Sequence, residues 1–451
     1  MSSPVAQRTT RFSRDLAHAA AHPLPADADR AARRSLFNVL GTTIGAVESP
    51  AVEVMLNAAR ELDIAGSVPV LGRRDTVDRH WGALIAGTAG HYDDFDDTHL
   101  ATVIHPGAAV LGVLVALHDA PVAGDVFLRA FALGCEAQLR IGNAISPNHY
   151  DRGWHITGTC GVFGAAVAAG VLLGYDASQV EAALAAASTM TLGHREAFGS
   201  MTKPFHAGKA AANGVLAAEG AAGGAAAFDA LGDDGVLTLF ADAVDEAELF
   251  GPWDRGWELE RNAFKPYPCG IVAHPAIDAA IEAGATASGR SIADIEVTCH
   301  PLVPELMGIL QPADGLQARF SARHGVAVGL LDGAVGLAQF SDARATSRDA
   351  AELRAITRLV PNDDCARDAA TVTVRTVDGD EIVAYVEHAR GSLARPLTDA
   401  ELVAKVSALT EPILGSGSST ALLTTVEALG TTTGFADVLA AALPAQERER
   451  V

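Results

Sequence analysis

Between residues 28 and 250 one pattern recurs. Stretches dense in alanine and glycine carry larger apolar residues at three- and four-residue spacing. RAARRSLFNVLGTTIGAV (30–47), WGALIAGTAGHY (81–92), GAAVLGVLVALHDA (107–120), VFLRAFALGCEAQLRIGNAI (126–145) and SQVEAALAAASTMTL (178–192) all show it. That spacing lines one face of an α-helix, and the small residues let such helices approach closely. Breaks containing Gly, Pro or Asp (SPAVE, APVAGD, GYDAS) separate the segments. No alternating strand pattern interrupts them, so this half of the chain is expected to be all-helical. One stretch, GTCGVFGAAVAAGVLLGY (158–175), has the length of a membrane span. Its glycines and alanines transfer weakly into lipid and no second span accompanies it, so a buried helix is expected instead.

The character changes after FGPWDRGWELERNAFKPYPCG (250–270). IADIEVTCH (292–300) alternates like a strand, and TVTVRTVDGDEIVAYVE (371–387) reads as a hairpin turning at Asp378-Gly379. Helical patterns lie between them in ARFSARHGVAVGLLDG (318–333) and SRDAAELRAITRLV (347–360). From PLTDAELVAKVSAL the tail is helical again, with Thr398 as N-cap and Glu401 completing a capping box. A chain of 451 residues exceeds what one core usually organises. The expected architecture is mainly α: helical residues 1–264, an inserted smaller α+β lid over 265–396, and C-terminal helices 397–451 packing back on the helical domain.

A formal charge of −22 excludes a nucleic-acid or anionic-membrane partner, since either needs a basic footprint. Five scattered cysteines without a CxxC pair indicate reduced thiols, and the N-terminus lacks the apolar run of a secretory signal, so a cytoplasmic protein is expected. Ionisable groups nonetheless concentrate in four places: HYDDFDDTHLATVIHPG (91–107), GWHITGT (153–159), GHREAFGSMTKPFHAGKAA (193–211) and FKPYPCGIVAHPAID (264–278). Each precedes or opens an apolar helix, with His155 before ITGT, His206 before AGKAA and His274 before PAID. One such histidine alone is most often a cap, and the aspartates could be turn formers; four similar helix entrances point to a shared site.

Asp93–Asp97 also satisfies DDxxD, the magnesium–diphosphate motif of class I terpene synthases, and carboxylates one helical turn apart can share Mg²⁺. The second metal motif those enzymes need is absent, and aromatics are scarce at 5%. No HExxH, GxSxG, Walker loop or strand-end GxGxxG occurs either.

At the stretches DFDDTHLATVIHPGA, GWHITGTCGVFGAA, GSMTKPFHAGKAAANGV, KPYPCGIVAHPAIDA and ARFSARHGVAVGLLDG the chain resembles the MmgE/PrpD family, which includes 2-methylcitrate dehydratase, cis-aconitate decarboxylase and an iminodisuccinate epimerase. The resemblance implies a helical domain with an inserted lid, a homodimer, and no metal or organic cofactor. It further implies catalytic roles for His105, His155, Asp94 and Lys203, and substrate binding by Thr98, Lys265 and His274. Asp94 and Thr98 would orient the site and hold His105, the other aspartates being helix-entry structure. The chain departs from the family at Gly107, where His-Pro-Ser is frequent, and at His324, where an aromatic is common. The implied activity is a cofactor-free lyase on a small di- or tricarboxylate, a 2-methylcitrate dehydratase-like enzyme first. Decarboxylation, epimerisation, a terpene-type synthase using DDFDD and an inactive helical binding protein are the alternatives.

Overall fold

The computed structural model describes residues 7–120, 122–253 and 256–445. The chain is mainly α, and its apolar residues gather into two separate cores. At the centre of the first lie helices Pro106–Ala116 and Ile156–Leu172, buried at every residue. A helix apolar on all sides belongs inside a protein, and its neighbours Ala26–Gly45, Arg79–Tyr92, Gly124–Ile145 and Thr202–Ala222 enclose this pair. The membrane-length stretch is therefore an interior helix, and among the described residues no single helix is long and apolar enough to cross a membrane.

Glycine sets the spacing between helices. A Cβ on Gly208 would stand 2.2 Å from the Leu84 carbonyl and 2.1 Å from the Thr88 hydroxyl. Helices Thr202–Ala222 and Arg79–Tyr92 meet there, and they carry Lys203 and His91 to the site. Gly208→Ala is expected to lower stability by about 3 kcal/mol, the upper end for overpacking a core. An unshifted midpoint in urea denaturation would show that the two helices can part without cost.

The second core rests on a four-stranded sheet in the order Thr357–Pro361, Ile292–Cys299, Ala370–Thr376, Glu381–Val386. The first pair is parallel and the others antiparallel, with Ile295 opposite Val374 and Val297 opposite Val372. These residues face helix His274–Ala287, which packs in turn on Ala322–Asp332. Gly379 takes φ 93° in the hairpin turn, as its Asp-Gly sequence requires. Strand Thr357–Pro361 corrects the sequence reading, which ran a helix through residue 360. The helix stops at Ile356 because Thr357, Leu359 and Val360 pair in parallel with a strand some sixty residues earlier, a contact that no local pattern announces.

After residue 397 the chain returns to the first core. Helix Asp399–Leu414 begins at Thr398, whose hydroxyl accepts from the Glu401 N–H while the Glu401 carboxylate accepts in return. Val406 and Leu409 of this helix lie against Gly41 and Gly45 of Ala26–Gly45. Two short ladders also cross the helical region: Val68–Pro69 with Thr76–Val77, and Thr98–His99 with Asn262–Ala263. The latter ties the carboxylate-rich segment to the linker entering the second core.

Candidate active site

Three helices of the first core open onto one cavity, each through an ionisable residue at its entrance. His105 is the N-cap of Pro106–Ala116, His155 is the N-cap of Ile156–Leu172, and Lys203 lies in the first turn of Thr202–Ala222. Lys265 arrives from the linker. With Asp94 and Thr98 they line a narrow cavity of about 40 Å³, roofed by Ile271, Val272, Leu306, Met307 and Phe320 from the second half of the chain. Six of the seven residues singled out from the sequence therefore meet. His274 does not join them. Its Nε2 lies 3.2 Å from the Cys269 carbonyl, and it borders a smaller cavity that shares Lys265 and Ile271 with the first. His206, expected ahead of its helix, sits one turn inside it, because the helix begins at Thr202 with Pro204 in its first turn.

Helix Arg79–Tyr92 ends just before the carboxylates, and Asp94 turns the chain with φ 51°, a left-handed conformation that aspartate tolerates. The four aspartates consequently point to four different sets of partners. Asp93 pairs with Arg319 at 2.6 Å. Asp94 is clasped by Lys203 and by Lys265, whose Nζ lies 3.0 Å from Oδ2. Asp96 accepts from His105 Nδ1 and His91 Nδ1, both at 2.9 Å. Asp97 accepts from Ser35 and, at 2.8 Å, from Asn262. A DDxxD reading needs these groups on one helical face, and the turn disperses them.

The residue holding His105 is thus Asp96, not Asp94 as the sequence suggested. Thr98 does contribute, with its hydroxyl 3.2 Å from His105 Nδ1. Asp96 and His91 were both missed. The only signal was the density of carboxylates, and which one reaches the ring depends on the turn at Asp94. Thr157 was also missed; its hydroxyl accepts the His105 N–H at 3.1 Å and locks two of the helix entrances together.

The electrostatics follow from burial. Burial alone would raise Asp94 and Asp96, but the lysines at Asp94 and the two imidazoles at Asp96 overcome it and hold both below the usual carboxylate range. An ionised Asp96 keeps the proton of His105 on Nδ1, leaving a lone pair on Nε2, which lies 3.7 Å from Asp94. Burial lowers His105 to about 3 and His155 well below its ordinary value, so both rings are neutral near pH 7. Lys203 is lowered by burial and by Lys265, against the pull of Asp94. Asp97 moves the other way, raised to about 7 by burial and by Asp96. Its Oδ1 has no hydrogen-bond partner among the described residues, and a Cβ on Gly107 would stand 2.9 Å from that atom. The glycine in place of serine therefore fits a crowded position. His324 likewise faces away from the cavity, bonded to the Gln339 carbonyl and Arg354.

Buried histidines give stability a definite pH dependence. His105 and His274 fall to about 3 and His206 to about 4 in the folded protein, against an unfolded value of 6.5. The unfolded chain binds these protons first, so their contribution is complete above pH 6.5 and is lost as pH falls from there toward 3. Asp97 opposes the trend, as do the carboxyls of Asp93 and Glu136, which burial also raises, while the lowered Asp94 and Asp96 reinforce it in acid. The expected result is a Tm that drops steadily between pH 7 and pH 4; a flat profile would mean the rings titrate normally.

His91, Asp94, Asp96 and His105 offer ligand atoms within 4.8 Å of one another, enough to consider a metal. The donors are engaged, however, Asp94 by two ammonium groups and Asp96 by two ring N–H groups, and the lysines would repel a dication. A wider groove lies elsewhere, bordered by Arg30, Arg34 and Asp399. Its arginines are paired, Arg30 with Asp27 and Arg34 with Asp399, so it presents no concentrated free cation.

Comparison with known proteins gives the family. Residues 10–243 match the MmgE/PrpD N-terminal domain and residues 267–431 the MmgE/PrpD C-terminal domain. The second match includes the helix Asp399–Leu414 that packs on the first core. Mouse cis-aconitate decarboxylase is 28% identical over 392 residues, covering 80% of this chain and 78% of the mouse protein. Human cis-aconitate decarboxylase is 33% identical over 215 residues, or 44% of this chain and 43% of the human one. With both family domains matched in order around a cavity that draws residues from each, the chain belongs to the MmgE/PrpD family.

Proposed function

We propose that the protein is a lyase acting on a small di- or tricarboxylate by proton transfer at the carbon next to a carboxylate. The observation that carries this reading is the narrow cavity in which two ammonium groups face two neutral imidazoles. Abstraction of an alpha proton builds an aci-carboxylate, whose extra negative charge needs close cations. Lys203 and Lys265 supply them, since each ammonium has N–H donors beyond those spent on Asp94. In the dehydration of a 2-methylcitrate-like hydroxy acid, a neutral histidine takes the proton and an imidazolium returns one to the departing hydroxide, giving water and an alkene.

Decarboxylation is the second reading, favoured because both relatives described above are cis-aconitate decarboxylases. There the carbon that loses CO₂ takes up a proton, so each turnover consumes one from solvent. An epimerase would return the proton to the carbon it left.

The test is an NMR assay with citrate, 2-methylcitrate, cis-aconitate and iminodisuccinate, run before and after dialysis against EDTA. Consumption of one of the four, at a rate unchanged by EDTA, is the expected outcome. Activity lost on chelation and restored by Mg²⁺ would turn the four-residue cluster into a metal site. No consumption of any of the four would end the polycarboxylate reading.

A further inference from the structure

Apolar groups roof much of the cavity, and every variant of the chemistry above must exchange a proton with something. Phe198 and Leu306 line both the cavity and an outer charged groove, so they form the wall between the two. His155 lies on the cavity side, 2% exposed. Its Nδ1 is 2.9 Å from Nδ1 of His206, itself 4% exposed, so one ring donates and the other accepts. Beyond His206 stands His194, with ring centroids 5.8 Å apart, and His194 is exposed in the outer groove. From the geometry we infer that His155, His206 and His194 form a proton relay between the active-site cavity and solvent.

The backbone is arranged to hold this file of rings. Trp154 and His194 form an antiparallel bridge, the His155 N–H donates to the Gly193 carbonyl, and the Arg195 N–H donates to that of Gly153. Two ends of the relay are therefore fixed by one short ladder. Gly193 takes φ 119°, and a Cβ there would stand 3.2 Å from the His206 ring; one on Gly158 would stand 3.0 Å from His206 Cβ. Glycine at both positions leaves the middle ring its place. Neither His206 nor His194 touches the reacting atoms; both act through His155.

The transfer balances simply. His155 Nε2 takes a proton from the cavity while its Nδ1 proton passes to Nδ1 of His206. His206 then releases its own Nε2 proton toward His194, which stands in the outer groove. One proton enters, one leaves, and both rings end neutral with exchanged tautomers. Run in reverse, the same steps deliver a proton inward, as a decarboxylase requires.

This inference rests on the lyase reading, and two measurements separate them. His194 is exposed, so His194→Ala is suited to folding normally. With whichever carboxylate the enzyme consumes, this variant should lose roughly tenfold in kcat at unchanged KM, less than the roughly hundredfold loss of a direct general base. Added imidazole should restore the rate, because a free ring can stand where His194 stood, and should leave the wild type unaffected. Wild-type kcat in the variant, or a loss that imidazole does not repair, would overturn the relay. The second measurement needs no substrate: in ¹⁵N-histidine-labelled protein, exchange of the proton shared by His155 and His206 with solvent should slow in His194→Ala. If the wild type consumes nothing, the lyase reading fails and this exchange rate alone decides the relay. An unchanged rate would refute it.

Discussion

His105→Gln is expected to abolish turnover while the polycarboxylate still binds, and Asp96→Asn to cost at least about a hundredfold. Direct proton transfer by a placed side chain contributes roughly 10²–10⁴ in rate, and glutamine cannot shuttle a proton. The argument for Asp96 is electrostatic. Its carboxylate, fully buried, accepts from Nδ1 of both His105 and His91. When His105 takes a proton, the resulting imidazolium is held by that charge, and an amide has none to offer. The amide must also present its NH₂ to one of the rings, forcing that ring to accept where it formerly donated. Steady-state kinetics alongside calorimetric binding makes the check. If both variants turned over substrate at the wild-type rate with unchanged affinity, the base would have to be reassigned to His155.

Lys203→Met should lose rate and affinity together. Removing one well-placed electrostatic contact to a developing charge costs roughly 10²–10³ in kcat, and the same ammonium meets the ground-state carboxylate. Lys203 also lies 5.3 Å from the centre of the Phe320 ring and 5.5 Å from that of Phe198, so it stands between the two halves of the cavity wall. The variant leaves Asp94 paired with Lys265 at 3.0 Å, so no charge is stranded and the loss of stability should stay below the about 3–5 kcal/mol of an uncompensated buried ion. The double variant Lys203→Met, Asp94→Asn strands the buried Lys265 instead, so it should be less stable in denaturation than Lys203→Met and no more active. Recovery of activity in the double variant would mean that Lys203 serves only to neutralise Asp94.

These two experiments address residues that were legible to different degrees. Lys203 stood out in the sequence because a charged residue opens an otherwise apolar helix. His105, His155 and Lys265 stood out for similar reasons, and they do converge on one cavity. Asp96 looked like one of several turn-forming aspartates, and its function depends on where the chain goes after Asp94.

The same division runs through the fold. Helical periodicity, the Asp378-Gly379 hairpin and the Thr398–Glu401 cap are interactions among residues a few positions apart, so their patterns stand in the sequence itself. Strand Thr357–Pro361 and the Thr98–His99 ladder with Asn262–Ala263 are made by pairing across long separations, and nothing nearby announces them. The chain by itself determined the apolar helices, their close glycine contacts and the ionisable groups at their mouths. Only the tertiary structure decided which aspartate meets which cation or imidazole and that His274 faces another cavity. It also decided that His206 joins His155 to the surface. Those outcomes turn on side-chain directions across elements, set by one left-handed residue and by helix contacts over a hundred positions apart, which no local pattern encodes.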